Sequence, residues 1–101
     1  MNKENFKPIF NKLSILSKLE LDDINKKIEY ILNNKVTNES IIESTLDRLL
    51  SLEFVNYIDI EKPYFILFDY YQNINKESAI EYKKYFIDKY QEIIKIKKLN
   101  K

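Results

Sequence analysis

The groups available for chemistry in this chain are its carboxylates. There are 16 Asp and Glu against 17 Lys and Arg, with no His, no Cys and no Gly. Lack of His removes the usual general base near neutral pH and the commonest metal ligand. Lack of Cys removes thiol chemistry, disulfides and thiolate zinc sites. Lack of Gly removes the phosphate-cradling loops, whose backbone must approach a ligand with no Cβ in the way. What remains is acid/base work by paired carboxylates. Asp22 and Asp23 are adjacent, and on a helix adjacent side chains point about 100° apart, so they do not converge on one atom. Capping a helix start is the better account of them.

Glu39, Glu43 and Asp47 are spaced four apart and share one helix face. Three readings stand for that stripe. Charge runs are usually a solvated face, here opposite an apolar stripe. The same residues would also serve as an acidic docking surface. A metal site is the weakest of the three, because a carboxylate-bridged centre in a bundle draws on Glu-x-x-His motifs and the chain has no His. No cofactor and no small-molecule substrate are expected, and the chain reads as a binder and not an enzyme.

Charge is segregated along the chain. From Val36 to Glu61 there are six acids (Glu39, Glu43, Asp47, Glu53, Asp59, Glu61) and one base, Arg48, a balance of −5. From Lys83 onward seven Lys face Asp88 and Glu92, a balance of +5, while the whole chain is +1. An acidic region steers a basic partner and speeds encounter. The Lys-rich end suggests an alternative, a nucleic-acid-associated or regulatory helical protein. Base readout leans on Arg, however, and the only Arg is Arg48, set among acids. Lys near a helix C-terminus also complements the helix dipole.

The elements that must position these groups read as helices. The first spans about Pro8 to Lys18, with Asn5 as cap, Pro8 in the first turn, and an apolar stripe of Phe6, Ile9, Phe10, Leu13 and Leu16. The second spans about Asp22 to Leu32 on Ile24, Ile28 and Ile31, stopped by Asn33-Asn34, with Asn in the left-handed turn. The third spans about Asn38 to Phe54 on Ile42, Leu46, Leu49, Leu50 and Phe54. Its start is either a Ser40–Glu43 capping box or an Asn38 cap.

Asn56 to Lys62 reads as a connection, with alternating Ile58 and Ile60 leaving a brief strand open. The fourth helix starts near Pro63 and runs to about Gln72, apolar nearly all round, the pattern of an element enclosed by others. Asn75 caps a fifth, from Lys76 to about Ile94, with Ala79, Tyr82, Phe86, Tyr90, Ile93 and Ile94 inward and a frayed basic tail over 95–101. The expectation is therefore all-α: one compact domain, residues 1–101, of about five helices with short loops. Among the tyrosines, Tyr82 and Tyr90 read as core, and Tyr57, Tyr64, Tyr71 and Tyr85 as partly exposed, hence potential interface anchors. Residues 1–10 lead into no signal-like apolar stretch, and the longest apolar run, Tyr64 to Phe68, is far below the ~20 residues of a membrane span. A cytoplasmic protein with no membrane partner is expected.

One further pattern is carried by Leu46-Asp47-x-Leu49-Leu50, Leu67, Tyr70-Tyr71-x-Asn73-Ile74-Asn75-x-Glu77, Tyr82, Phe86 and Tyr90. On these residues the segment from Leu46 to Glu92 resembles the all-α immunity proteins of contact-dependent growth inhibition and related bacterial toxin systems. The chain departs from the family pattern at Asn73, where Asp is usual, and at Lys76, where Pro is usual. The resemblance implies an inhibitor kept in the producing cell. It would bind a cognate toxin C-terminal domain, often a nuclease, and cover its active site or substrate surface. Charge and expected exposure nominate Glu39, Glu43, Asp47, Tyr57, Asp59, Glu61, Tyr64 and Tyr71 as the contact residues.

Overall fold

The structure, a computed structural model, describes the backbone of residues 7–99 and the side chains of residues 12–96. It is all-helical over that range, with four helices and no strand among the described residues: α1 (Lys7–Asn33), α2 (Glu39–Ser51), α3 (Tyr57–Gln72) and α4 (Lys76–Leu99). No described helix is long and apolar enough to cross a membrane. Asn5, expected as a cap, lies outside the described residues, as do the side chains of Phe6, Ile9 and Phe10.

Four helices stand where about five were expected, because the first two are one. Leu19-Glu20-Leu21, the expected junction, contains no Gly, Pro or Asn, so nothing there costs the helix its continuity. Asp22 and Asp23 are exposed mid-helix residues, not caps. Asp23 accepts from Arg48 on α2 at 3.0 Å, and Glu20 lies 3.8 Å from the same guanidinium. Arg48 therefore meets the middle of α1 from near the end of α2. At 27 residues α1 is about 40 Å long against about 20 Å for the 13 residues of α2. Its N-terminal half runs beyond α2, which leaves Leu13, Ile15, Leu16 and Leu19 exposed.

The stop of α1 also differs from expectation. The left-handed residue is Lys35 (φ 50), not Asn33 or Asn34. Val36 N–H donates to Ile31 O at 3.0 Å and Lys35 N–H to Leu32 O at 3.3 Å, the two bonds of a Schellman stop. With no glycine in the chain, a Lys with a Cβ occupies the position, and Phe54 (φ 61) does the same between α2 and α3. Phe54 thus lies outside α2 and is exposed rather than on its buried stripe. At the start of α2 the Asn38 cap is used: its Oδ1 accepts from Ile41 N–H at 3.2 Å, and Ser40 lies inside the helix.

α3 begins at Tyr57, so the expected connection over 56–62 is helical and Pro63 is an interior residue. Pro63 gives up one backbone bond, to the Asp59 carbonyl. The helix persists through it because Ile60, Tyr64, Leu67 and Tyr71, spaced 4, 3 and 4, bury one continuous stripe. Asn75 caps α4 as expected, with Oδ1 accepting from Ser78 N–H at 3.1 Å. Helical backbone continues to Leu99, with one non-helical residue at Tyr90 (φ −112, ψ 17). Asn100 and Lys101 lie outside the described residues.

The buried side chains form one cluster drawn from all four helices. α2 and α3 pack together; α1 and α4 each touch both of them and, among the described residues, not each other. The ring of Tyr64 stacks on Phe86 of α4 at 4.2 Å between centroids, with Phe65 edge-on to both. Tyr70 donates its hydroxyl to Val36 O at 2.5 Å, tying α3 to the stop of α1.

Candidate partner-binding surface

The α2 carboxylates expected on a free face form a seam with α3 and α4. Glu43 and Asp47 follow Ile42 and Leu46, so they sit about 100° from the buried stripe, at its edge and not opposite it. The Tyr71 hydroxyl reaches Glu39 Oε1 (3.0 Å) and Glu43 Oε2. A hydroxyl has one proton to give. The contact to Glu43 is the shorter of the two and takes that proton, while Asn75 Nδ2 donates to Glu39 Oε1 at 2.6 Å. One helical turn on, Asp47 stands near enough to the hydroxyl of Tyr82 of α4 to raise its pKa. Glu61 is placed the same way beside Tyr57, four residues earlier on α3. Burial first, then these carboxylates, raises the Tyr71, Tyr82 and Tyr57 phenols well above the usual tyrosine range.

The tyrosines sort differently from expectation. Tyr64 and Tyr71, nominated as partly exposed anchors, are both 0% exposed. Each lies on the stripe Ile60–Tyr64–Leu67–Tyr71, which passes unseen when the helix is started at Pro63. Neither is on the surface, so neither contacts a visiting partner in this fold. Tyr57 is half-buried between Phe86 and Tyr90. The Tyr64 hydroxyl has no hydrogen-bond partner among the described residues, and burial alone raises its pKa. Of the nominated acids, Glu39, Asp47 and Asp59 are exposed and Glu43 and Glu61 half-buried. Glu39, Glu43 and Tyr71 meet in one cluster, Tyr57 and Glu61 in another, and Asp59 stands apart.

The Lys-rich helix is also partly committed. Lys89 Nζ donates to the Leu50 and Leu52 carbonyls, the latter at 3.3 Å, closing the C-terminal end of α2. Burial lowers the Lys89 pKa, with Glu53 opposing. Lys83 Nζ lies 5.8 Å over the Phe68 ring.

Asp59 belongs to a feature the sequence did not suggest, an open groove of about 450 Å³ between α1 and α3. Asn25, Ile28, Glu29 and Leu32 line one side, and Ile58, Asp59, Lys62, Pro63 and Ile66 the other. Ile58 and Ile66 are 69% and 41% exposed, more than a core helix ordinarily shows. The signal was present as the spacing of eight between these two isoleucines. Among the described residues, no group of three or more acids stands where it could hold a metal ion. No protein-family model matches the chain, and neither a curated protein nor a solved structure matches it.

Proposed function

We propose that the chain is a stoichiometric inhibitor, an immunity protein that binds a cognate toxin domain in the producing cell and covers its active site or substrate surface. The observation that supports this is the groove: exposed aliphatic lips and a carboxylate rim, carried on two helices anchored in the core. Such a surface gives a macromolecular partner apolar area to desolvate and charge to orient it. The toxin class comes from the sequence pattern between Leu46 and Glu92. Its apolar positions Leu46, Leu49, Leu67, Tyr71, Tyr82 and Phe86 are core residues, so that pattern bears on fold and leaves contacts to the surface around it.

Inhibition by occlusion needs no turnover by the chain itself. Its most clustered carboxylates, Glu39 and Glu43, are engaged with Tyr71 and Asn75, an arrangement suited to holding helices together. The test is protection. A candidate toxin domain, sought in the reading frame next to this chain's own, is induced in cells with and without it. Restored growth and an equimolar complex on gel filtration are expected. Growth arrest of equal depth in both strains overturns the proposal.

A further inference from the structure

We infer that the α1/α3 groove is the docking site for a basic amphipathic helix of the partner, an inference that rests on the inhibitor function proposed above. α3 is apolar almost all round, and α1, α2 and α4 cover three of its sides. The fourth side shows Ile58 and Ile66, two turns apart, with Lys62 between them. Across the hollow stand Ile28 and Leu32 of α1, and Pro63 lines it from α3. Eight residues of helix measure about 12 Å, which matches the two turns over which a docked helix sets its i, i+3/i+4 and i+7 anchors.

A small molecule fits less well. The volume lies in the range of ligand sites, roughly 300–1,000 Å³, but such sites bury about 70–90% of their ligand. This one is open, with Ile58 two-thirds exposed.

Charge decides the sign of the occupant. Glu29 of α1 and Asp59 of α3 line the groove, while Asp22, seven before Glu29, and Asp69, one turn past Ile66, stand outside its lining. Of the charged residues that line the groove itself, Glu29 and Asp59 are opposed by Lys62 alone, and Lys26 stands between Asp22 and Glu29 on α1. Asp22, Glu29, Asp59 and Asp69 have no hydrogen bond or ion pair from their side chains among the described residues. Unlike Glu39 and Glu43, they are free to meet an incoming cation without giving up an internal donor. A second copy of this chain paired through a two-fold axis would lay this acidic rim against itself, so a basic partner is favoured over self-association.

The experiment uses the full chain with labelled isoleucine δ1 methyls. The probes are two synthetic amphipathic helices of the same length, one of Leu and Lys, the other of Leu and Glu. Under the inference the Leu/Lys peptide shifts the methyls of Ile28, Ile58 and Ile66 and leaves those of Ile15, Ile93 and Ile96 in place. The variant Ile58→Lys with Ile66→Lys, both exposed and so compatible with folding, weakens that binding at least tenfold, about 1.4 kcal/mol. Equal binding of the Leu/Glu peptide, shifts confined to Ile15, Ile93 and Ile96, or groove methyls that broaden with protein concentration alone each overturn it. The two proposals separate cleanly. Full protection by the Ile58→Lys/Ile66→Lys variant sinks the groove and keeps the inhibitor, whereas groove binding without protection from the toxin does the reverse.

Discussion

Tyr64 and Tyr71 make a matched pair in which the same substitution should act with opposite sign. Both lie on α3, both are 0% exposed, and both lose only a hydroxyl on replacement by Phe. The Tyr71 hydroxyl donates to a carboxylate, and a hydrogen bond to a charged acceptor contributes about 1.5–3 kcal/mol net. Tyr71→Phe also leaves Glu43, half-buried, without that donor. The Tyr64 hydroxyl is buried with no partner among the described residues, and an unsatisfied hydroxyl costs about 1–3 kcal/mol. Tyr64→Phe removes that cost and keeps the stack on Phe86. The two variants should therefore differ by roughly 3 kcal/mol, with Tyr64→Phe at or above the parent and Tyr71→Phe well below it. For a chain of this size each kcal/mol moves Tm by about 4–8 °C, so the Tm gap should be at least about 12 °C. Thermal and urea unfolding followed by far-UV circular dichroism give both numbers. Equal losses, or a larger loss for Tyr64→Phe, would refute the assignment of which hydroxyl is bonded.

Other expectations follow from the same contacts. Lys35→Gly should stabilise by about 0.5–1 kcal/mol, because a left-handed residue with a Cβ is strained and Gly is not; an unchanged urea midpoint would contradict the Schellman stop. Lys89→Met keeps the aliphatic stem but removes the donor to the α2 carbonyls, and should cost about 1–2 kcal/mol, read by the same unfolding curves. The alkaline limb is also set by the tyrosines. The folded-state pKa values of Tyr64, Tyr71 and Tyr82 are raised, so their contribution is complete below the unfolded value of about 10 and is lost as pH rises beyond it. Each then removes about 1.4 kcal/mol per pH unit, roughly 4 kcal/mol per unit for the three. Absorbance of tyrosinate at these positions should rise together with loss of helicity above about pH 11; ionisation of all phenols in a chain still fully helical would contradict the burial.

Much of the scaffold is legible in the sequence wherever a local signal has no rival. Asn75 caps as read, Asn38 takes the cap for which the Ser40–Glu43 box was the rival, and Ile42–Leu46–Leu49 and Ala79–Tyr82–Phe86 are core as read. The misreadings come from residues with two legitimate uses. Asp22-Asp23 resembles a helix start and is instead an exposed stretch of a continuous helix, because a cap residue ends nothing unless the chain before it can leave the helix. Pro63 resembles a first turn and is instead an interior residue tolerated for the stripe it interrupts. That one choice of start hid Ile60 from the stripe, put Tyr64 and Tyr71 on the surface, and removed Ile58 from any helix face. The acidic stripe was found, but spacing gives which residues share a face and not what faces them. Only the docking of α3 and α4 decides that Glu43 meets Tyr71.

The carboxylates therefore divide by what they already hold. A carboxylate that holds a buried phenol's proton is poor bait for a partner: a lysine drawn to Glu43 would compete with the Tyr71 hydroxyl, and its gain would be reduced by the donor it displaces. Recognition is better placed on acids without an internal donor, where an incoming cation has only hydration to replace and can stay partly hydrated itself. Asp22, Glu29, Asp59 and Asp69 meet that condition, and Asp59 and Glu29 line a hollow that also shows aliphatic surface. A chain without His, Cys or Gly thus uses one residue type for two jobs on different sides of the bundle. The side where carboxylates meet tyrosines ties the helices together, and the side where they meet exposed isoleucine is the one proposed above for a partner.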